Sequence, residues 1–202
     1  MSKIKKMFNG LVPIVIDCEM SGVDPSKHAL LEVAAYALEY NNELCLAEHY
    51  HQHVNPFPGA LFDQQAMEIN GIIADHPLRF AIDEHTMLEQ LNEFIHKQLT
   101  IHGANRAILV GHNIHFDLAF LTAAQERTGV KLRIHHFCVL DTATLGMLFF
   151  SQSVLAKIIK KAGIQFDPNL AHGALYDAKK TAELFCYFFN RGLLENRKEK
   201  SD

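Results

Sequence analysis

A continuous apolar segment near the start of the chain constrains the fold most strongly. Residues 13–17 read Pro-Ile-Val-Ile-Asp, and this β-branched run without a polar interruption predicts a buried strand. Two further strand-like segments follow at residues 30–40 and 43–54. Asn41 and Asn42 between them predict a hairpin turn. Three such segments in succession predict an antiparallel meander.

The rest of the chain alternates between helical and strand-like patterns. The clearest amphipathic helix covers residues 84–99, where apolar side chains recur on one face and Asp83 can cap the amino end. The other predicted helices cover residues 62–70, 116–127, 142–149, 153–162 and 173–189, and the other predicted strands cover residues 107–110 and 136–140. A meander followed by this alternation predicts an α/β fold with a mixed sheet and helices on its faces.

This arrangement resembles the ribonuclease H-like fold used by many nucleases. The resemblance implies a mixed five-stranded sheet flanked by helices, with a central first strand that presents acidic residues at its end. A length of 202 residues is typical of one domain. We therefore expect a single domain over residues 1–202, with a core at about 10–194, a short basic N-terminal segment and a charged C-terminal tail.

Composition limits the function classes. The formal net charge of -4 argues against a protein that coats nucleic acid with bulk positive charge. It does not argue against an enzyme, because carboxylates that bind metal ions also count as negative. The four cysteines are far apart and predict reduced thiols in a cytoplasmic protein. No stretch reaches the roughly 20 apolar residues of a membrane span, so no membrane partner is expected.

Two acidic residues follow the first predicted strand. Asp17 and Glu19 are two positions apart, so the alternation of a strand places both side chains on one face. Two such carboxylates repel each other unless a cation lies between them, and hard oxygen ligands favour Mg²⁺ or Mn²⁺. Taken alone, the pair is more often an ordinary solvated strand end.

Two more acidic residues lie near predicted helix starts. Asp117 enters a helix, where the helix dipole by itself favours an acidic side chain. His172 and Asp177 are five positions apart, so they share a cleft only if His172 lies on the loop before the final helix. A histidine there could take a proton from water, since its unperturbed pKa is about 6.5. A capping histidine and a surface aspartate are the alternative.

In chain order, the set of Asp17, Glu19, Asp117, His172 and Asp177 resembles the DEDDh group of 3′–5′ exonucleases. The resemblance implies two Mg²⁺ ions per subunit, about 4 Å apart, with Mn²⁺ as a substitute. It implies that Asp17 bridges both ions, that Glu19 and Asp177 complete one site, and that Asp117 supports the other through water. His172 would be the general base.

Within that group the chain is most similar to the ribonuclease T family, over residues 10–191. The similarity includes stretches outside the catalytic runs: His-Val-Asn-Pro at 53–56, Asn-Gly-Ile at 70–72, Asn-Arg-Ala-Ile at 105–108, His-Asn at 112–113, Asp-Thr-Ala at 141–143 and Ala-His-Gly-Ala-Leu-Tyr-Asp at 171–177. It implies a 3′–5′ exoribonuclease that trims single-stranded 3′ ends of tRNA and other structured RNA and releases nucleoside 5′-monophosphates. Single-stranded DNA is a second expected substrate.

The family holds terminal bases by aromatic stacking, a contact worth about 1–3 kcal/mol per base. The substrate-binding positions that the resemblance implies are Met20, Val23, Gln65, Ile69, Phe116 and Phe137. Phe116 and Phe137 match two of the family's four stacking phenylalanines, although core packing would also explain them. Val23 and Ile69 replace the other two, and Gln65 replaces a base-reading glutamate, so the resemblance leaves the 3′-base preference open.

The resemblance also implies a homodimer, in which a basic patch on one subunit faces the active site of the other. Arg106 matches that patch by position, and Lys131 is assigned to it as well. Lys3, Lys5 and Lys6 lie where the family has its first basic segment. Phosphate contacts of this kind position a strand without reading its sequence. A merely solvated charged face is the alternative.

Three other functions stay open. The run Glu-Met-Ser-Gly at 19–22 resembles oligoribonuclease, and the polymerase proofreading exonuclease shares the catalytic set. The alternative from another class is a nucleic-acid-binding module whose catalytic set has decayed. All five catalytic positions hold competent residues, which argues against that module. Thermal stabilisation by Mg²⁺ or Mn²⁺ separates a working site from a decayed one.

One histidine pattern has no place in this scheme. His49, His51 and His53 alternate, so a strand would place all three on one face, and such a face could bind zinc. No fourth ligand is evident nearby in the sequence. A solvent-facing strand explains the pattern equally well.

Overall fold

A computed structural model describes residues 2–198 of the protein, with the side chains of residues 2–192. The strands are β1 (Val12–Met20), β2 (Leu30–Asn41), β3 (Glu43–His53), β4 (Ala107–Gly111) and β5 (Ile134–Asp141). They form one sheet in the order β3-β2-β1-β4-β5. The charged C-terminal tail lies outside the described side chains.

The sheet is mixed and β1 is its central strand. β1 pairs with β2 and β2 with β3 in antiparallel fashion, which confirms the predicted meander. β1 also pairs with β4, and β4 with β5, in parallel fashion. The apolar run of β1 is buried on both faces, with Ile14 and Ile16 in one core cluster and Val15 in the other. A strand this apolar needs cover on both sides, so it occupies the middle of the sheet.

The helices are α1 (Lys3–Met7), α2 (Gln64–Asn70), α3 (Glu84–His102), α4 (His115–Thr128), α5 (Thr142–Phe150), α6 (Leu155–Lys161) and α7 (Ala174–Lys198), with a 3-10 turn at Pro77–Arg79. All the predicted helices are present, and α1 was not predicted. α2 begins two residues later than predicted because Asp63 is its N-cap and accepts a hydrogen bond from the N–H of Ala66. α6 begins at Leu155, two residues after the predicted start at Ser153.

Helices cover both faces of the sheet. α3 and α4 pack on one face, where Leu88, Leu91 and Phe120 are buried in the larger core cluster. α7 packs on the other face, and the small side chains Ala174 and Ala178 are buried where it lies against the sheet. α4 and α7 both begin near the carboxyl end of β1. The side chains of their first turns therefore lie close to that end.

Within residues 2–198, no single helix is long and apolar enough to cross a membrane. Only the bent pair Thr142–Phe150 and Leu155–Ala162, with 52° between its halves, reaches that length and composition together.

Candidate active site

Asp17 and Glu19 lie side by side at the carboxyl end of β1. Both are partly buried and project onto the face that α7 covers, whereas the intervening Cys18 belongs to the core cluster on the opposite face. The register between β1 and β2 shifts just after Glu19, so the strand is irregular where the site begins.

Asp177, in the first turn of α7, completes an acidic cluster with these two residues. Carboxylate oxygens of Asp17, Glu19 and Asp177 all lie within 4.8 Å of one another. Oδ2 of Asp177 accepts a hydrogen bond from the backbone N–H of His172 at 2.9 Å, whereas Oδ1 is buried without a hydrogen-bond partner. A buried carboxylate oxygen without a partner is costly, and a metal ion would satisfy it. The donor set therefore fits a divalent cation with oxygen ligands.

Asp117 adds a fourth carboxylate from the first turn of α4. It is buried, and its Oδ1 accepts a hydrogen bond from the backbone N–H of Cys18 at 2.9 Å. That bond fixes Asp117 to the β1 backbone between Asp17 and Glu19. The four acidic residues predicted to act together are therefore brought to one edge of the sheet.

The crowding of these carboxylates changes their proton affinities. Burial, together with the charges of Asp177 and Glu32, raises the pKa of Glu19 to about 8. Burial also raises the pKa of Asp117 to about 7, although hydrogen bonds to it act in the opposite direction. The pKa of Asp17 lies well above its usual range because the carboxyl group is buried and faces Asp117. A bound cation would favour the charged forms and reverse these shifts.

His172 lies on the loop before α7, as the sequence predicted for a histidine that shares a cleft with Asp177. Its side chain is exposed, and its backbone has a φ of 66°, in the left-handed region that non-glycine residues seldom occupy. Asn113, at the loop before α4, also has a positive φ, of 56°. Its N–H donates to Oδ1 of Asp141 at 3.1 Å. Such backbone conformations persist where surrounding contacts hold them, and they are common at active sites.

The residues predicted to bind substrate are mostly exposed. Phe137 on β5 is 95% exposed and Phe116 on α4 is 44% exposed, so core packing does not explain either side chain. Val23 is 74% exposed and Ile69 is 52% exposed. Met20 is partly buried and Gln65 is exposed, and the carbonyl of Met20 accepts a hydrogen bond from the side chain of Asn70 at the end of α2. That bond brings α2 to the end of β1, and Phe116 is the neighbour of Asp117.

The basic residues lie at the amino ends of the parallel strands, away from the acidic cluster. Arg106 directly precedes β4 and Lys131 lies shortly before β5, and both are exposed. Five residues of strand separate Arg106 from the carboxyl end of β4, a distance of about 16 Å. Lys5 donates to the carbonyl of Gly103, so the basic N-terminal helix lies at this same end. The fold does not bring these residues to the acidic cluster of the same chain.

Sequence reasoning missed one residue beside the cluster. Glu32 lies on β2 directly opposite Glu19, is buried, and contacts Nε2 of His51 at 2.6 Å through Oε1. Glu32 stands inside an apolar run, so its local pattern indicates only a strand. The hairpin register, counted across two strands, is the signal that would have found it.

Comparison with known proteins agrees with this geometry. The family described as RNase_T exonuclease matches residues 14–185. The chain belongs to this exonuclease family. It is 46% identical to the ribonuclease T of Yersinia enterocolitica serotype O:8 / biotype 1B, over 91% of this chain and 87% of the relative. It is 42% identical to the ribonuclease T of Vibrio vulnificus, over 98% and 96%.

Solved exonuclease structures share the fold of this RNase_T family member. Escherichia coli exonuclease I in complex with a dT13 oligonucleotide superposes with a TM-score of 0.72 at 15% identity, over 93% of this chain and 43% of that one. The 3′-exonuclease from a study of histone mRNA stem-loop recognition gives a TM-score of 0.71 at 18% identity, over 89% and 64%. The chain spans less than two thirds of either protein. The predicted ribonuclease H-like fold is thereby confirmed.

Proposed function

We propose that the protein is a metal-dependent 3′–5′ exoribonuclease that trims single-stranded 3′ ends of tRNA and other structured RNA. It releases nucleoside 5′-monophosphates and also acts on single-stranded DNA. One observation carries the proposal: carboxylate oxygens of Asp17 and Glu19 on β1 and of Asp177 on α7 lie within 4.8 Å of one another, Oδ1 of Asp177 is buried without a hydrogen-bond partner, and His172 beside them is exposed. The relatives named ribonuclease T support RNA as substrate, and the exonuclease I complex with dT13 supports single-stranded DNA.

Two Mg²⁺ ions, or Mn²⁺ in their place, are the cations that this donor set suits. Asp17, Glu19 and Asp177 would hold one ion, and Asp117 would support the other with Asp17. When bound, these cations supply Lewis-acid stabilisation of the negative charge that develops on the phosphodiester oxygens.

The histidine and the aromatic residues supply the rest of the chemistry. The exposed imidazole of His172 takes the proton of the attacking water, while its backbone N–H, bonded to Asp177, fixes its position at the cluster. The ring of Phe116, next to Asp117, stacks on an unpaired base. A base inside a duplex is already stacked and paired, so the enzyme stops near the first base pair.

The remaining features fit a cytoplasmic homodimer of one-domain subunits, each spanning residues 1–202. Basic residues such as Arg106 and Lys131 lie at the end of the parallel strands away from the acidic cluster, where they can contact RNA that is bound at the active site of a second copy. The cysteines of the described residues are free thiols, which suits a reducing compartment.

The test is degradation of a stem-loop RNA with a single-stranded 3′ tail, labelled at its 5′ end, with and without Mg²⁺. The informative variant is His172→Gly. Glycine accepts the φ of 66° and keeps the backbone N–H that bonds Asp177, so the change removes only the imidazole. We expect wild type to shorten the tail and stall near the duplex, and His172→Gly to be slower by about 10²–10⁴-fold.

His96→Gln, at an exposed position on α3, is the matched control and should keep full activity. Full activity of His172→Gly would refute the role of His172. Intact RNA in every lane would favour the binding-module alternative. Degradation of fragments of two to five nucleotides, with the tailed stem-loop left intact, would favour oligoribonuclease.

A further inference from the structure

A second group of metal-ligating side chains lies on the same sheet face, one strand away from the acidic cluster. It consists of Glu32 on β2 with His51 and His53 on β3, and one ligand atom from each lies within 4.8 Å of the others. Glu32 is directly opposite His53 in the strand register. His51 is opposite Ala34, whose methyl group leaves room for the ring of His51 to reach Glu32.

The hydrogen bonding within this group is incomplete. Nε2 of His51 contacts Oε1 of Glu32 at 2.6 Å, and the rings of His51 and His53 are 5.2 Å apart. Nδ1 of His53 is buried without a hydrogen-bond partner. Buried ring nitrogens normally have a partner, so this atom indicates a missing ligand. The side chain of His51 is 27% exposed, which provides access from solvent.

Of the three alternating histidines, only His51 and His53 belong to this group. The ring of His49 stacks on Tyr36 with 5.2 Å between the ring centroids. That packing explains His49, which is not part of the group. The sequence showed no further metal ligand near these histidines. In the fold, Glu32 on the neighbouring strand β2 provides one.

We propose that Glu32, His51 and His53 bind a divalent cation of the Zn²⁺ type, at a site separate from the exonuclease metals. Two imidazole nitrogens and one carboxylate form a ligand set that zinc uses in open sites, where water or a further ligand completes the coordination. Magnesium prefers oxygen ligands and does not suit this set.

The charge around the group supports the same choice of metal. Arg79 donates to the carbonyls of Leu31 and Val54 beside the group, so its positive charge partly cancels that of Glu32. A hard cation, held mainly by charge, therefore gains little here. A borderline cation gains from the nitrogen donors themselves. Since Glu32 faces Glu19, the site stands next to the catalytic carboxylates while remaining distinct from them.

The test measures binding of Zn²⁺ and Co²⁺ to the full chain by equilibrium dialysis and by the visible absorption of Co²⁺. The parent variant carries Glu19→Gln and Asp177→Asn, which remove two of the four exonuclease ligands, and the readout is binding, so it does not depend on catalysis. We expect one equivalent of Zn²⁺ or Co²⁺, and a dissociation constant weaker by about tenfold or more after adding His53→Gln or His51→Gln.

His49→Gln is the matched control, because it lies on the same strand outside the group and should leave binding unchanged. The Co²⁺ spectrum should lack a sulfur charge-transfer band, which would reveal binding to the free thiols instead. The proposal is overturned by absence of binding in the parent, by a thiolate band, or by equal loss with His49→Gln. If His53→Gln does not fold, His51→Gln at its more accessible position decides, and unchanged binding there overturns the site.

Discussion

At the scale of single residues, the acidic cluster makes the metal-free protein less stable. The pKa of Glu19 is raised to about 8, from 4.5 in an unfolded chain, by burial and by neighbouring acids. Between these two pH values the folded state holds a proton that the unfolded state has lost. The stability of the metal-free protein therefore falls as pH rises through this window.

Glu19→Gln tests this effect, because glutamine keeps the shape and removes the charge. We expect it to raise the free energy of unfolding at pH 8 by up to about 4 kcal/mol, and to change it little at pH 4, where both states are mostly protonated. Urea denaturation in the presence of a chelator measures both values. Glu93→Gln, at an exposed position on α3, is the control and should have little effect. A gain of equal size at both pH values would contradict the electrostatic cause.

Phe137 should matter for binding RNA and not for folding, because its ring is 95% exposed. We expect Phe137→Ala to weaken binding of single-stranded RNA by about 1–3 kcal/mol with the melting temperature unchanged. Phe120→Ala, at a buried position of α4, should instead destabilise the fold by about 3–5 kcal/mol. Fluorescence anisotropy with a labelled oligonucleotide and thermal melts separate the two. A loss of stability in Phe137→Ala would contradict its assignment to substrate.

At the scale of elements, the sequence predicts what local patterns encode. Continuous apolar, β-branched runs located the strands, and the Asn41-Asn42 turn located the hairpin. Helix α1 escaped prediction because a helix of five residues has little stability of its own. Its stability comes from distant contacts, through the buried Ile4 and the bond from Ser2 to His102. Such contacts are not visible in any local window of sequence.

The candidate active site likewise contains residues that the local sequence indicates and residues that only the folded chain brings to the site. The order and spacing of Asp17, Asp117 and Asp177 located the acids of the proposed metal site, because each lies near the end of a strand or in the first turn of a helix. Glu32 escaped because its place opposite Glu19 depends on strand register. The backbone strain at His172 likewise depends on the hydrogen bond to Asp177, which only the folded chain can make.

The contact between α5 and α6 gives a prediction at this scale. A Cβ added at Gly146 would lie 2.3 Å from Cδ1 of Ile158 and 2.6 Å from the backbone carbonyl of Gln152. We expect Gly146→Ala to destabilise the protein by about 1–3 kcal/mol through overpacking. Gly192 on α7 has open space around it, so Gly192→Ala should stabilise by up to about 1 kcal/mol. Thermal melts of both variants check this, and a neutral Gly146→Ala would refute the close packing.

At the scale of the whole molecule, the net charge of -4 includes an acidic and a basic region at opposite ends of the strands. The acidic cluster occupies the carboxyl end of β1, and Arg106 and Lys131 occupy the far end of the parallel strands. Within one chain, about 16 Å separates Arg106 from the carboxyl end of β4, so the basic residues lie outside the acidic cluster of the same chain. A dimer in which the basic end of one copy serves the active site of the other requires both copies for full activity.

Mixed dimers test that requirement. We expect Arg106→Gln with Lys131→Gln to lower activity by about tenfold at physiological salt, because two phosphate contacts are lost. His172→Gly alone should keep at most about 1% of wild-type activity. An equal mixture should recover about a quarter of wild-type activity, since half of the dimers are mixed and each has one intact site formed by both chains. The measurement is tail trimming after subunit exchange.

The control mixes His172→Gly with Asp17→Asn. Both changes damage the acidic region, so no mixed dimer has an intact site, and no recovery is expected. Recovery in the first mixture alone therefore requires that one copy contribute charge to the catalysis of the other. A first mixture that stays at the average of its two variants, about a twentieth of wild-type activity, although mixed dimers have formed, would contradict a contribution of Arg106 and Lys131 to the active site of a second copy. The RNA path would then lie on one chain.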